Sequence, residues 1–163
     1  MTWDSVLVAS TFAAAVGCGL IAGAFFAFST FVMKALGRLP AAEGMAAMQG
    51  INIVVINPMF LGVFLGTAVV AALAAVVAVV RWERPGAGWV LGGAALYLIG
   101  TLGVTMACNV PLNNSLAAIT PADPAAPQRW GMYLKRWTMW NHVRTAAALL
   151  AAIALVLALR RGV

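Results

Sequence analysis

One stretch concentrates the side chains able to do chemistry: Trp137-Thr138-Met139-Trp140-Asn141-His142-Val143-Arg144-Thr145. It holds two indoles, an amide, the only histidine of the chain and a guanidinium. Histidine is the side-chain type that exchanges a proton near neutral pH, and guanidinium and amide groups can stabilise a negative oxygen. Directly afterwards, Ala146 to Leu159 contains nothing but Ala, Leu, Ile and Val. Polar groups at the mouth of so apolar a segment are costly unless they face protein, water or a ligand. Three further groups of polar and aromatic residues invite the same question: Phe28-Ser29 with Phe31, Asn52 with Asn57, and Asn109 with Asn113 and Asn114.

The elements that carry these residues follow from composition. Of 163 residues, 64% are hydrophobic and 9% charged, with a mean hydropathy of +0.98. A soluble domain of this length cannot hide so much apolar surface, so the chain reads as one all-α transmembrane domain over 1–163. Apolar runs predict spans at about 6–33, 58–80, 88–108 and 143–159. The first outlasts a signal-peptide core and is expected to stay in the membrane. The net charge of +6 comes from Lys and Arg at the ends of these runs and reads as membrane anchoring. The mixed basic and aromatic residues near 129–144 run straight into a span, so no nucleic-acid partner is expected.

Pro40 and Glu43 can open a short interfacial helix, with Met45, Met48 and Ile51 at helical spacing over 41–52. The pairs Gly19/Gly23, Gly62/Gly66 and Gly88/Gly92 are expected to be seams of close helix contact. Thr120 to Gln128, with three prolines, reads as a loop. From about 129 the pattern turns helical, and Trp130, Tyr133, Trp137, Trp140 and Arg144 form a stripe. Cys18 and Cys108 lie at different depths and are not expected to pair.

Four spans with short connections fold as an antiparallel four-helix bundle. The end of span one, the start of span two, the end of span three and the start of span four then share one side of the membrane. Those four places hold all the candidate residues: Phe28, Ser29 and Phe31; Asn52 and Asn57; Asn109, Asn113 and Asn114; Trp137, Trp140, Asn141, His142 and Arg144. The expectation is that they converge on one cavity. Plainer readings stand beside it: packing for the phenylalanines, helix capping for Asn57, aromatic-belt anchoring for the indoles, and an interfacial hydrogen-bonded His142.

At these same motifs the sequence resembles the anthrone oxygenase-like family of small four-span membrane proteins. The resemblance is carried by Gly23-Ala24-Phe25 with Phe28 to Met33, by Met48 to Asn52 and Asn57-Pro58, by Asn109 to Asn114, and by Trp137 to Thr145. It implies a membrane oxygenase that converts an anthrone-like substrate with dioxygen and without a cofactor. Such a reaction needs a base, an oxyanion stabiliser and an apolar slot. His142 suits the base, Arg144 and Asn141 the oxyanion, and Phe28, Phe31, Trp137 and Trp140 the ring walls, with Ser29 and the other asparagines as polar contacts. One histidine without neighbouring carboxylates is too few ligands for a metal, so none is expected. The expected partners are the bilayer, an apolar aromatic molecule and dioxygen, in the inner membrane of a bacterium. The alternative is a non-catalytic binding protein or transporter for an apolar small molecule.

Overall fold

The computed structural model describes residues 2–120 and 123–163. Among them all regular structure is helical: α1 (Trp3–Leu36), α2 (Ala41–Val54), α3 (Pro58–Val80), α4 (Ala87–Ala117) and α5 (Ala126–Arg161). All but α2 are long and apolar enough to cross a membrane. The molecule is an integral membrane protein. In the bundle α1 lies against α5 and α3, and α4 lies against α3 and α5. Large apolar side chains such as Phe12, Leu20, Val69 and Val76 point outward, as a lipid-facing belt requires.

Lipid is as apolar as the core, so close packing rather than the hydrophobic effect holds such helices together. One end of the bundle is accordingly built from small residues, with Ala14, Ala71, Ala74, Ala148, Ala151 and Ala158 all buried. The seams differ from the expected pairs. A Cβ at Gly19, Gly23, Gly62, Gly66, Gly88 or Gly92 would meet nothing within 4 Å. Close approach occurs instead at Gly17, where a Cβ would lie 2.0 Å from Thr67 Oγ1, at Gly93 against Leu155, and at Gly100 against Ala147. The spacing of glycines is shared by both faces of a helix; only the partner decides which face is inside.

At the other end the core is bulkier. Met45 and Met48 of α2 are buried in one cluster with Met33, Trp130, Tyr133 and Trp137, so the methionine face of α2 covers the bundle end. Gly44 allows this approach, because a Cβ there would sit 2.6 Å from the Leu36 carbonyl oxygen. Gln49 Nε2 donates to the Leu116 and Ile119 carbonyls at 2.9 and 3.2 Å, satisfying the end of α4. Asn57 caps α3: its Oδ1 accepts from Phe60 N at 2.9 Å and its Nδ2 donates to Val54 O at 2.9 Å.

Helices α4 and α5 run well past their apolar cores. Pro111 does not end α4, because a wide π-helical turn over Thr105–Asn109 precedes it and makes room for its ring. Pro127 sits in the first turn of α5, where a missing N–H is harmless, so helix takes in the end of the expected loop from Ala126, while Thr120 and Asp123 to Ala125 are non-helical. Pro121 lies outside the described residues. Further π-helical turns occur at Phe28–Val32 in α1 and Leu96–Gly103 in α4. At the far end Asp4 bridges to Arg81 at 3.0 Å and to Arg84, tying α1 to the turn after α3. Cys18 and Cys108 are free thiols.

Candidate functional site

The buried face of α5 places Trp130, Tyr133, Trp137, Asn141 and Arg144 inside the bundle. Arg144 is only 5% exposed. Its guanidinium carbon lies 4.1 Å from the centre of the Phe25 ring and 5.1 Å from that of Trp137, a desolvated cation–π arrangement. Nη1 donates to Thr105 Oγ1 at 3.2 Å and Nη2 to Asn141 Oδ1 at 2.6 Å, while the buried Nε has no partner. Among the described residues no carboxylate pairs with it: Asp4 and Glu83 bridge Arg81, and Asp123 bridges Arg129. An unpaired cation at such a depth is expensive.

Asn141 joins Arg144 to α1 through hydrogen bonds. It is fully buried, and its Nδ2 donates to Phe25 O and to Ser29 Oγ, both at 2.7 Å. Both acceptors lie at or beside the π-helical turn of α1, where the backbone hydrogen-bond register changes. Ser29 stands 3.3 Å from Thr145 Oγ1. Thr145 directs its own proton to Asn141 O at 2.8 Å. The Ser29 proton is therefore held only by a long contact, on a side chain that is itself buried at 4% exposure.

Ser29 also lines an open groove of about 740 Å³ between the end of α1 and the start of α5. Met33, Leu134 and Met139 give the groove apolar walls; Lys34, Arg38, Lys135, Thr138 and His142 supply the polar ones. His142 is exposed there and not inside the bundle. The expectation of one cavity shared by all the candidate residues is thus corrected. Two positions on a helix are 200° apart, so His142 and Arg144 project to opposite sides of α5. Ser29 is the residue that connects the two sides.

The remaining candidates divide. Asn113 Oδ1 accepts from Tyr133 Oη at 2.9 Å and Trp137 Nε1 at 2.8 Å. Buried Asn109 donates to Trp137 O at 3.2 Å, leaving its Oδ1 without a partner, and Asn52 Nδ2 is also buried and unpartnered. These three asparagines, from α2 and α4, support the bulky end of the core. Phe28 packs on Trp137 with ring centres 5.8 Å apart. Phe31, 60% exposed, faces outward and forms no wall of the site. Asn114 is exposed and Trp140 half-buried. Asn57 is occupied with capping.

Comparison with known proteins gives one finding: the family model for anthrone oxygenase matches residues 58–154, more than half of the chain. The chain belongs to the anthrone oxygenase family. No curated protein and no solved structure matches it. The matched anthrone oxygenase segment spans α3, α4 and α5 as far as Ala154 and so includes Thr105, Asn141, His142 and Arg144. Ser29 and Phe25, which complete the network, come from α1 outside that segment.

Sequence reasoning did not single out Phe25, Thr105, Tyr133 or Thr145 as site residues. Tyr133 does stand on the stripe read from the sequence, and the buried face it shares with Trp130, Trp137 and Arg144 continues to Ala151 and Ala158. Phe25 carries no such signal, since nothing in α1 reveals which phenylalanine meets the guanidinium.

Proposed function

We propose that the protein is a bacterial inner-membrane oxygenase that converts an anthrone-like polycyclic aromatic to a quinone with dioxygen, without a cofactor. The observation that carries this reading is Ser29, at once a wall of the groove and the end of a hydrogen-bond chain from buried Arg144. The substrate lies in the groove with its methylene towards His142 and its ketone oxygen towards Ser29. His142 removes a methylene proton, leaving an enolate whose negative oxygen receives the Ser29 hydroxyl proton as a hydrogen bond. Asn141, polarised by Arg144, strengthens that donor, since each bond in such a chain reinforces the next. Asn141 and Arg144 act through Ser29 and are positioning residues.

The electron-rich enolate passes an electron to dioxygen directly, and the resulting radical pair combines at the former methylene carbon. Loss of water from the hydroperoxide gives the quinone. One anthrone and one dioxygen yield one quinone and one water, so the four electrons lost by the methylene are those dioxygen accepts, and no external reductant enters. The test is product formation by purified protein in detergent, compared with the spontaneous oxidation of the same anthrone. Quinone formation that Ser29→Ala and His142→Ala both lower supports the reading, and rates equal to the protein-free control refute it.

A further inference from the structure

The groove carries more charge than proton removal needs. Lys34 from the end of α1, Arg38 from the turn after it and Lys135 from α5 line it together with His142, and no acidic residue lines it. All three cations are exposed, and none forms an ion pair among the described residues. Their order along the groove is fixed by the helix register. Ser29 meets Asn141 and Thr145, and Gly37 faces Leu134. Ser29 and His142 therefore form the inner end, Lys34 the middle, and Arg38 with Lys135 the outer end. Lys34 is five residues beyond Ser29, about 7.5 Å along the helix.

Two glycines, Gly37 and Gly131, line this groove. A Cβ at Gly131 would meet nothing within 4 Å, so close packing does not account for that glycine. Inside α5 a glycine is less favourable than alanine. What it secures is an unobstructed outer half. At Gly37 a Cβ would already lie 3.3 Å from Leu134 Cδ1.

We propose that the groove takes an amphipathic aromatic acid, its ionised group held by Lys34, Arg38 and Lys135 and its fused rings lying over Met33, Leu134 and Met139. As to turnover, this rests on the reading above and narrows its substrate to anthrones that bear a carboxylate or ionised phenol on an outer ring. The charge decides between this class and a neutral ring system. Three unpaired cations at the mouth of an apolar slot repay a negative group that stays near water while the rings enter lipid depth. A neutral anthrone would use the apolar walls and leave the cations idle.

The experiment is equilibrium binding to the full-length protein in a non-ionic detergent, with anthraquinone-2-carboxylate and its methyl ester as probes. The acid is expected to bind at least about tenfold more tightly at low salt, because an exposed charge contact at 4 Å is worth roughly a factor of five and more than one is available. The preference should shrink as salt rises. In the combined variant Lys34→Gln, Arg38→Gln, Lys135→Gln the preference should vanish while ester binding persists, and these exposed positions leave the fold intact. Gly131→Leu should weaken both probes about tenfold by filling the outer half. Equal affinity for acid and ester, or a preference that survives loss of the three cations, overturns the proposal. Abolition of acid binding by excess phosphatidylglycerol also overturns it, assigning the cations to a lipid headgroup. The assay needs no turnover. Tight acid binding without oxidation leaves this inference standing and removes the enzyme reading; oxidation without an acid preference does the reverse.

Discussion

Replacing Asn141 by aspartate separates the two jobs its side chain performs. In the native protein Oδ1 accepts from Arg144, while Nδ2 donates to Phe25 O and Ser29 Oγ. Asn141→Ala removes all three bonds. A bond to a charged group contributes about 1.5–3 kcal/mol, and interhelical bonds inside membranes average about 0.6 each. The loss is therefore about 3 kcal/mol, more than a hundredfold in the folding equilibrium. Asn141→Asp keeps the acceptor for Arg144 and adds an opposite charge, but it has no donor for Ser29 and sets an oxygen against the Phe25 carbonyl. If Asn141 serves only to hold Arg144, aspartate preserves activity. If it relays the charge to Ser29, aspartate fails as well. A direct oxyanion donor contributes about 10²–10³ in rate, and reinforcement along a chain adds about 10–30% of each bond's strength. Asn141→Asp should therefore lower kcat roughly two- to eightfold with little change in KM, and Ser29→Ala about 10²-fold. Thermal unfolding in detergent and steady-state turnover measure both. Wild-type kcat in Asn141→Asp would refute the relay.

His142→Ala should reduce turnover by about 10²–10⁴ without shifting the unfolding temperature, since the side chain is exposed; unchanged turnover in that variant removes the base. Gly17→Val should destabilise the bundle by about 1–3 kcal/mol or more, because a Cβ there collides with Thr67, whereas Gly19→Val and Gly23→Val point into open space and should be nearly neutral in unfolding experiments. Single cysteines at positions 43 and 83 should react with impermeant maleimide from opposite faces of the membrane; labelling from the same face would contradict the four-span topology.

The bundle was legible in the sequence because hydropathy over about twenty residues reports directly on a bilayer's thickness. The gathering of polar groups at one end was legible for the same reason, since antiparallel topology alone decides which helix ends meet. Which face each residue takes was not. Asn141, His142 and Arg144 are neighbours along the chain, yet two residues on a helix do not face each other, and Ser29 had to be seen in place to connect them. The glycine pairs misled because a G-x-x-x-G spacing fits lipid as well as protein, while Gly17 and Gly93 carry no motif. The π-helical turns were invisible too. Side chains within two of them, Ser29 and Thr105, meet Asn141 and Arg144 of α5, and these partners are remote in sequence.

The most direct test of the central claim is oxidation of an anthrone by the purified protein under ¹⁸O₂. The account predicts quinone formation well above the protein-free rate, with one labelled atom in the new carbonyl, the other in water, and no loss of rate on adding a metal chelator. An anthrone that binds but is oxidised no faster than in buffer, or a new carbonyl oxygen that comes from water, would contradict it.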